Sequence, residues 1–146
     1  MGLLNIIHSE TIFVDTVAFI YFVERNPVYV DVLRPVFNAI DVGELRAITT
    51  TITYSEVLVH PCRQGNQDLV AKYETLLRET PNLTIAPFNL KLAKQTAEIR
   101  AQYGLKTPDA IQWATAIRYG VRFFLTNDSG FQRFSDPRVL LLEDFV

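Results

Sequence analysis

Cysteine occurs once, at Cys62, and histidine twice, at His8 and His60. A single thiol excludes an intrachain disulfide, and one cysteine with two histidines is too few for a histidine-built zinc site. The longest apolar run, Val17 to Val23, is far short of the roughly 20 residues that a membrane span requires. No basic segment precedes an apolar one at the N-terminus, so no signal peptide is expected and the chain is read as soluble and cytoplasmic. Neither sign of charge dominates. With 14 basic and 16 acidic residues the formal charge is −2, which excludes the global positive field behind non-specific nucleic-acid binding and makes any such contact local. A glycine-rich phosphate loop and a G-x-S-x-G turn are also missing, which disfavours nucleotide-binding enzymes and serine hydrolases.

What is present suits one domain spanning residues 1–146: a 49% hydrophobic composition fills a core of that size. Runs rich in β-branched and aromatic residues predict strands over Thr11–Asp15, Ala47–Ile52, Leu83–Pro87, Arg122–Thr126 and Arg138–Leu142. Helical patterns fill the gaps. Thr16–Arg25 is apolar on nearly every side, as for a helix buried between a sheet and other helices, and Asn26–Pro27 stops it. Val28–Asp41 is predicted to bend or break at Pro35, and a helix over Thr53–His60 to close at Pro61. Asn66–Glu79 spaces Leu69, Val70, Tyr73, Leu76 and Leu77 along one face. Leu90–Tyr103, between Asn89 and Gly104, and Pro108–Tyr119, ended by Gly120, complete the series, with Thr107 as the expected cap of the last. Strands alternating with helices imply a parallel sheet covered on both faces.

In such a sheet ligands bind at the carboxyl edge, so the acids near strand ends matter most. Asp15 ends the first predicted strand, Glu56 lies in the first turn of the helix after the second, Asp109 opens the helix leading into the fourth, and Asp128 follows the fourth directly. Each has an ordinary structural role available. Asp15 could cap a helix, Thr53-Tyr-Ser-Glu56 fits a capping box, Asp109 suits the positive end of a helix dipole, and Asp128 could hold a turn with Ser129 and Gly130. Jointly those roles are insufficient, because four carboxylates at one edge repel one another unless protonated or neutralised. No lysine or arginine lies within three positions of Asp15, Glu56 or Asp128, and Lys106 is the nearest in sequence to Asp109. A hard divalent cation, Mg²⁺ or Mn²⁺, held by few carboxylate oxygens and several waters, resolves the conflict.

The stretches IFVDT around Asp15, TITYSEVL around Glu56, GLKTPDAIQWATA around Asp109 and FLTNDSGF around Asp128 resemble the four motifs of the PIN-domain nucleases, in particular the VapC-type toxins. The resemblance covers the chain from about Thr11 to Phe145. It implies a three-layer α/β/α sandwich on a five-stranded parallel sheet, with Asp15, Glu56, Asp109 and Asp128 as the acidic quartet. It further implies Mg²⁺- or Mn²⁺-dependent hydrolysis of RNA phosphodiesters, a homodimer, and inhibition by an antitoxin protein.

Thr16, Ser55, Thr126 and Asn127 stand beside the acids and could hold them or a phosphate oxygen, although ordinary capping explains them equally well. Arg100 and Lys106 are candidates for phosphate contacts, with solvated helix-end charge as the favoured reading. Phe19, Phe22 and Trp113 are assigned to the core ahead of a base-stacking surface, and Tyr21 shares their helix. Two alternatives stand beside the nuclease: a PIN-like module kept for RNA binding or regulation, and a receiver-like phosphoacceptor domain. The second fits poorly, because the residues beside Asp15 are Val14 and Thr16 rather than a further acid and the last strand has no lysine. A dehalogenase-type phosphatase fails at Val17, where a second aspartate is needed.

Overall fold

The computed structural model describes residues 2–146. Five parallel strands form one sheet: β1 (Thr11–Val14), β2 (Arg46–Thr50), β3 (Leu83–Ala86), β4 (Phe123–Thr126) and β5 (Arg138–Leu141). Their order is β3-β2-β1-β4-β5, so the chain winds outward from β1 on one side and then crosses to β4 on the other. That reversal leaves a topological switch point between β1 and β4, the place where open α/β sheets bind ligands. The order also differs from the 2-1-3-4-5 of receiver-type domains, which removes that alternative.

The sheet separates two apolar layers, and the two-residue period of the strands decides which side chain enters which. Ile12 and Val14 of β1, with Phe123 and Leu125 of β4, face one layer, while Phe13 and Phe124 face the other and stack with centroids 4.9 Å apart. Against the first layer pack α1 (Leu3–Ile7), α2 (Thr16–Val23), α3 (Val30–Asp41), α4 (Thr51–Gln64) and α5 (Gln67–Glu79). Against the second pack α6 (Leu90–Tyr103) and α7 (Thr107–Arg118). The three-layer α/β/α sandwich with five parallel strands is therefore as the sequence implies.

Several local expectations are corrected. α1 was not foreseen; it is a five-residue helix that buries Leu3 and Ile7, one turn apart. β2 ends at Thr50, not Ile52, because the Thr50 hydroxyl accepts the Thr53 N–H at 3.1 Å and starts α4 at Thr51. α4 does not close at Pro61: the proline is buried and the helix continues to Gln64, where Gly65 at φ 67° caps it. α3 likewise runs unbroken through Pro35. In both helices one missing donor is outweighed by continued packing of the chain around it. α2 is less enclosed than its composition suggests, with only Ala18 and Phe19 fully buried and Val17, Ile20, Tyr21, Phe22 and Val23 half-buried. α7 begins at Thr107 after Lys106, so Thr107 is inside the helix and supplies no cap.

The candidate acidic site

Each acid reaches the carboxyl edge by a different local device. Asp15 directly follows β1, its N–H still donating to the Leu125 carbonyl of β4 at 2.9 Å, while its Oδ1 accepts the Thr16 N–H and caps α2. Asp128 stands just past β4, where its Oδ1 accepts the Gly130 N–H at 2.8 Å and opens the 3₁₀ turn Ser129–Arg133. The structural roles foreseen for these two therefore exist alongside their position. Glu56 lies in the second turn of α4 rather than its first, since α4 starts at Thr51, and the expected capping box does not form. Thr53 instead points into the interior, and Glu56 Oε1 accepts the Thr16 hydroxyl of α2 at 2.8 Å. Asp109 is in the first turn of α7.

The electrostatics tie the four together. Partial burial pushes the Asp109 carboxyl above its ordinary range, and the negative charges of Asp128, Asp15 and Glu56 push it further, with only Lys106 acting the other way. The start of α7 favours a negative charge at Asp109, while burial and the neighbouring carboxylates oppose it. The ion pairs among the described residues lie elsewhere, at His8–Glu44, Arg34–Asp31 and Arg78–Glu74. None neutralises this edge.

Asp15 is the most tightly held of the acids. Its Oδ1 also accepts from Gln112 Nε2 at 3.1 Å, and its Oδ2 accepts from the Thr126 hydroxyl at 2.7 Å. Thr126 in turn accepts the Asp128 N–H at 3.1 Å, so one hydroxyl joins the neighbourhoods of two acids. Gln112, not singled out in the sequence, is buried within α7 and also bonds Thr50 and Thr53. The signal for it was available: an amide inside the buried run Ala110–Ala116 must find partners. Ser55 is exposed, and Asn127 accepts the Glu143 N–H at 3.0 Å, which fastens the turn after β4 to the C-terminal segment.

The donor chemistry fits a hard cation, since carboxylates with unused lone pairs stand near enough for the charges of Asp15, Glu56 and Asp128 to act on Asp109. Among the described residues no three His, Cys, Asp or Glu side chains form a ready-made metal cluster. An ion of the Mg²⁺ type, which keeps several waters and takes one or two carboxylates, does not require one.

Parallel α/β architecture with acids of distant origin at its switch point defines a class of domain, and comparison assigns it. Residues 12–137 match the family model described as PIN domain, and the chain belongs to that family. No curated protein sequence matches the chain. Among solved structures, DNA-bound VapBC from Salmonella typhimurium is 19% identical, with 91% of this chain and 98% of that one covered and a TM-score of 0.72. VapBC2 from Rickettsia felis, bound to a promoter DNA fragment, is 17% identical over 90% and 98% of the two chains, with a TM-score of 0.70. VapC20 from Mycobacterium tuberculosis, described as a sarcin–ricin loop cleaving toxin, is 14% identical over 77% and 86%, with a TM-score of 0.64. At these identities the likeness is one of fold.

Proposed function

We propose that the chain is a divalent-metal-dependent ribonuclease that hydrolyses RNA phosphodiester bonds, with Asp15, Glu56, Asp109 and Asp128 as its acidic site. The observation that carries this reading is that Asp15 and Asp128 directly follow the adjacent strands β1 and β4, with Glu56 bonded to Thr16 beside Asp15 and Asp109 near enough to feel the charge of all three. An edge that penalises its own negative charge is arranged to receive positive charge. Asp15 and Asp109 would be the principal holders of Mg²⁺ or Mn²⁺, with Glu56 and Asp128 completing the shell directly or through water. The ion, when bound, supplies Lewis-acid charge and a water of lowered pKa.

This chain's residues then have distinct tasks. Asp15, fixed by Thr16, Gln112 and Thr126, keeps one carboxylate orientation throughout. Glu56 and Asp128 are exposed and can reach the incoming water, orient it in line with the leaving oxygen and accept its proton. Attack would form a new P–O bond as the water's proton passes to Glu56 or Asp128, and the bond to the leaving oxygen would break, that oxygen taking its proton from solvent. Incubation of the pure protein with structured and unstructured RNAs in Mg²⁺, Mn²⁺ or EDTA tests the proposal. Cleavage abolished by EDTA is expected; intact RNA under every metal condition would overturn it.

A catalytically weak RNA-binding module is the second reading, favoured by one observation: among the described residues no three His, Cys, Asp or Glu side chains form a ready-made metal cluster. It predicts RNA binding without cleavage in the same experiment. The toxin role, with an antitoxin protein as partner, a homodimer as working form and the cytoplasm as location, draws on the likeness to VapBC complexes. No helix among the described residues is long and apolar enough to cross a membrane. Growth arrest on expression, relieved by co-expressing a small protein encoded beside the gene, tests the toxin role.

A further inference from the structure

Gln112 lies three residues after Asp109 in α7, yet its amide serves the opposite side of the site. With 2% of its surface exposed, it sits among Thr50, Thr53 and Asp15, which come from β2, α4 and the end of β1. Its Oε1 accepts from the Thr50 hydroxyl at 2.5 Å, and its Nε2 donates both to Asp15 Oδ1 at 3.1 Å and to Thr53 Oγ1 at 2.8 Å. The partners fix which end of the amide is which. A carboxylate accepts only, so Asp15 requires the N–H end; reversed, the amide oxygen would oppose a carboxylate oxygen and leave the Thr50 hydroxyl facing N–H groups.

Direction is inherited along the rest of the chain of bonds. Having accepted from Gln112, Thr53 has one hydrogen to give, and its Oγ1 lies 3.0 Å from Thr16 Oγ1. Thr16 then gives its own hydrogen to Glu56 Oε1 at 2.8 Å. The sequence Asp15 ← Gln112 → Thr53 → Thr16 → Glu56 thus starts and ends on a carboxylate, and every hydroxyl in it donates toward Glu56. A network in which each donor is committed holds its end points more firmly than separate contacts would.

We propose that Gln112 is a positioning residue that couples the Asp15 and Glu56 carboxylates through Thr53 and Thr16, and thereby sets the affinity of the acidic edge for its divalent ion. This rests on the metal-dependent reading above. A merely structural Gln112 would tie α7 to α4 and affect folding alone. A positioning role alters ion affinity even in variants that remain folded, as outer-sphere partners of metal ligands do, by about 10–100-fold.

The test is Mn²⁺ titration followed by electron paramagnetic resonance, with thermal unfolding measured on the same samples. Gln112→Met and Thr16→Val each cut the chain at a different link, and both are expected to weaken Mn²⁺ binding by about 10–100-fold. Combined, they should weaken it little more than the worse single change, because the links act in series. Thr53→Val keeps the shape of the buried side chain and serves if Gln112→Met fails to fold; Thr53→Ser, which restores the hydroxyl, should recover wild-type affinity. Wild-type Mn²⁺ affinity in folded Gln112→Met or Thr53→Val protein overturns the proposal, as do losses that multiply in the double variant. A wild-type protein that binds no Mn²⁺ overturns the metal-dependent reading and this inference with it, so the two failures are distinguishable.

Discussion

The Thr126 hydroxyl lies 2.7 Å from Asp15 Oδ2, so the last residue of β4 donates a hydrogen bond to the carboxylate that follows β1. Because β1 and β4 flank the switch point, this bond joins the two halves of the sheet where the site is built. It also predicts how Asp15 tolerates change. In Asp15→Asn the remaining oxygen can still accept from Thr16 and Gln112, while the new amide donates to the Thr126 hydroxyl, whose own hydrogen loses its acceptor. Stability should fall by about 1–3 kcal/mol. Cleavage should fall by at least about 100-fold, since even outer-sphere partners are worth 10–100-fold. Asp15→Leu strands the Gln112 and Thr126 donors and should lose about 1–3 kcal/mol for each. Urea unfolding beside RNA cleavage measures both, and an active Asp15→Asn enzyme would refute the assignment.

Asp109 carries the opposite stability sign. Its folded-state pKa is raised above the ordinary 3.8, so the folded chain binds this proton more tightly than the unfolded chain does. Stability is therefore gained on acidification through the folded pKa and lost as pH rises across the window from the ordinary value to the folded one. Above that window the ionised group opposes folding of the metal-free protein. Asp109→Asn should raise metal-free stability at neutral pH, by about 0.5–2 kcal/mol if it behaves as other relieved functional sites do. The same change should remove stabilisation by Mn²⁺, which in the wild type reaches about 2.7 kcal/mol at a hundredfold excess over Kd. Thermal unfolding with EDTA and with Mn²⁺ reads both effects. A less stable metal-free Asp109→Asn protein would contradict the raised pKa.

Lys106 and Arg100, alike as cations near the Asp109 helix, separate by their contacts. Arg100 Nε donates to the Leu105 carbonyl at 3.3 Å, which fastens the turn between α6 and α7. Among the described residues Lys106 forms no ion pair, and it acts on Asp109 as a nearby positive charge. Lys106→Ala should weaken RNA binding across sequences and reduce the salt-dependence slope by about one, whereas Arg100→Ala should leave the slope unchanged. Binding measured from low to moderate salt distinguishes them, and equal slopes for both variants would remove Lys106 as a phosphate contact.

The strands were legible because their signals are short-range and redundant. β-branched and aromatic runs give all five within two residues at either end, and Asn89 and Gly104 cap α6 as their residue types favour. Proline misled: Pro35 and Pro61 break helices only where packing does not hold the chain on, and burial of Pro61 is a tertiary fact. α1 has no side-chain cap bond to announce it. The acids could be read because strand ends and turns are visible locally. Their holders could not, since Gln112 and Thr53 reach partners 97 and 37 residues away along the chain.

Trp113 tests whether the aromatics near the site are core or surface. It is 2% exposed, and its ring centroid lies 4.5 Å from Phe134, 5.0 Å from Phe124 and 5.9 Å from Phe131. Phe124 belongs to β4, while Phe131 and Phe134 lie in and just after the 3₁₀ turn that Asp128 opens. The indole thus packs α7, the bearer of Asp109, against the segment bearing Asp128, and is closed to a nucleic-acid base. Trp113→Ala should cost about 3–5 kcal/mol, the range for deleting a large buried aromatic. RNA affinity of the fraction that stays folded should fall only as far as the Asp128 turn shifts. Weakened RNA binding at unchanged stability is the outcome a stacking surface would give, and it would return Trp113 to the binding face.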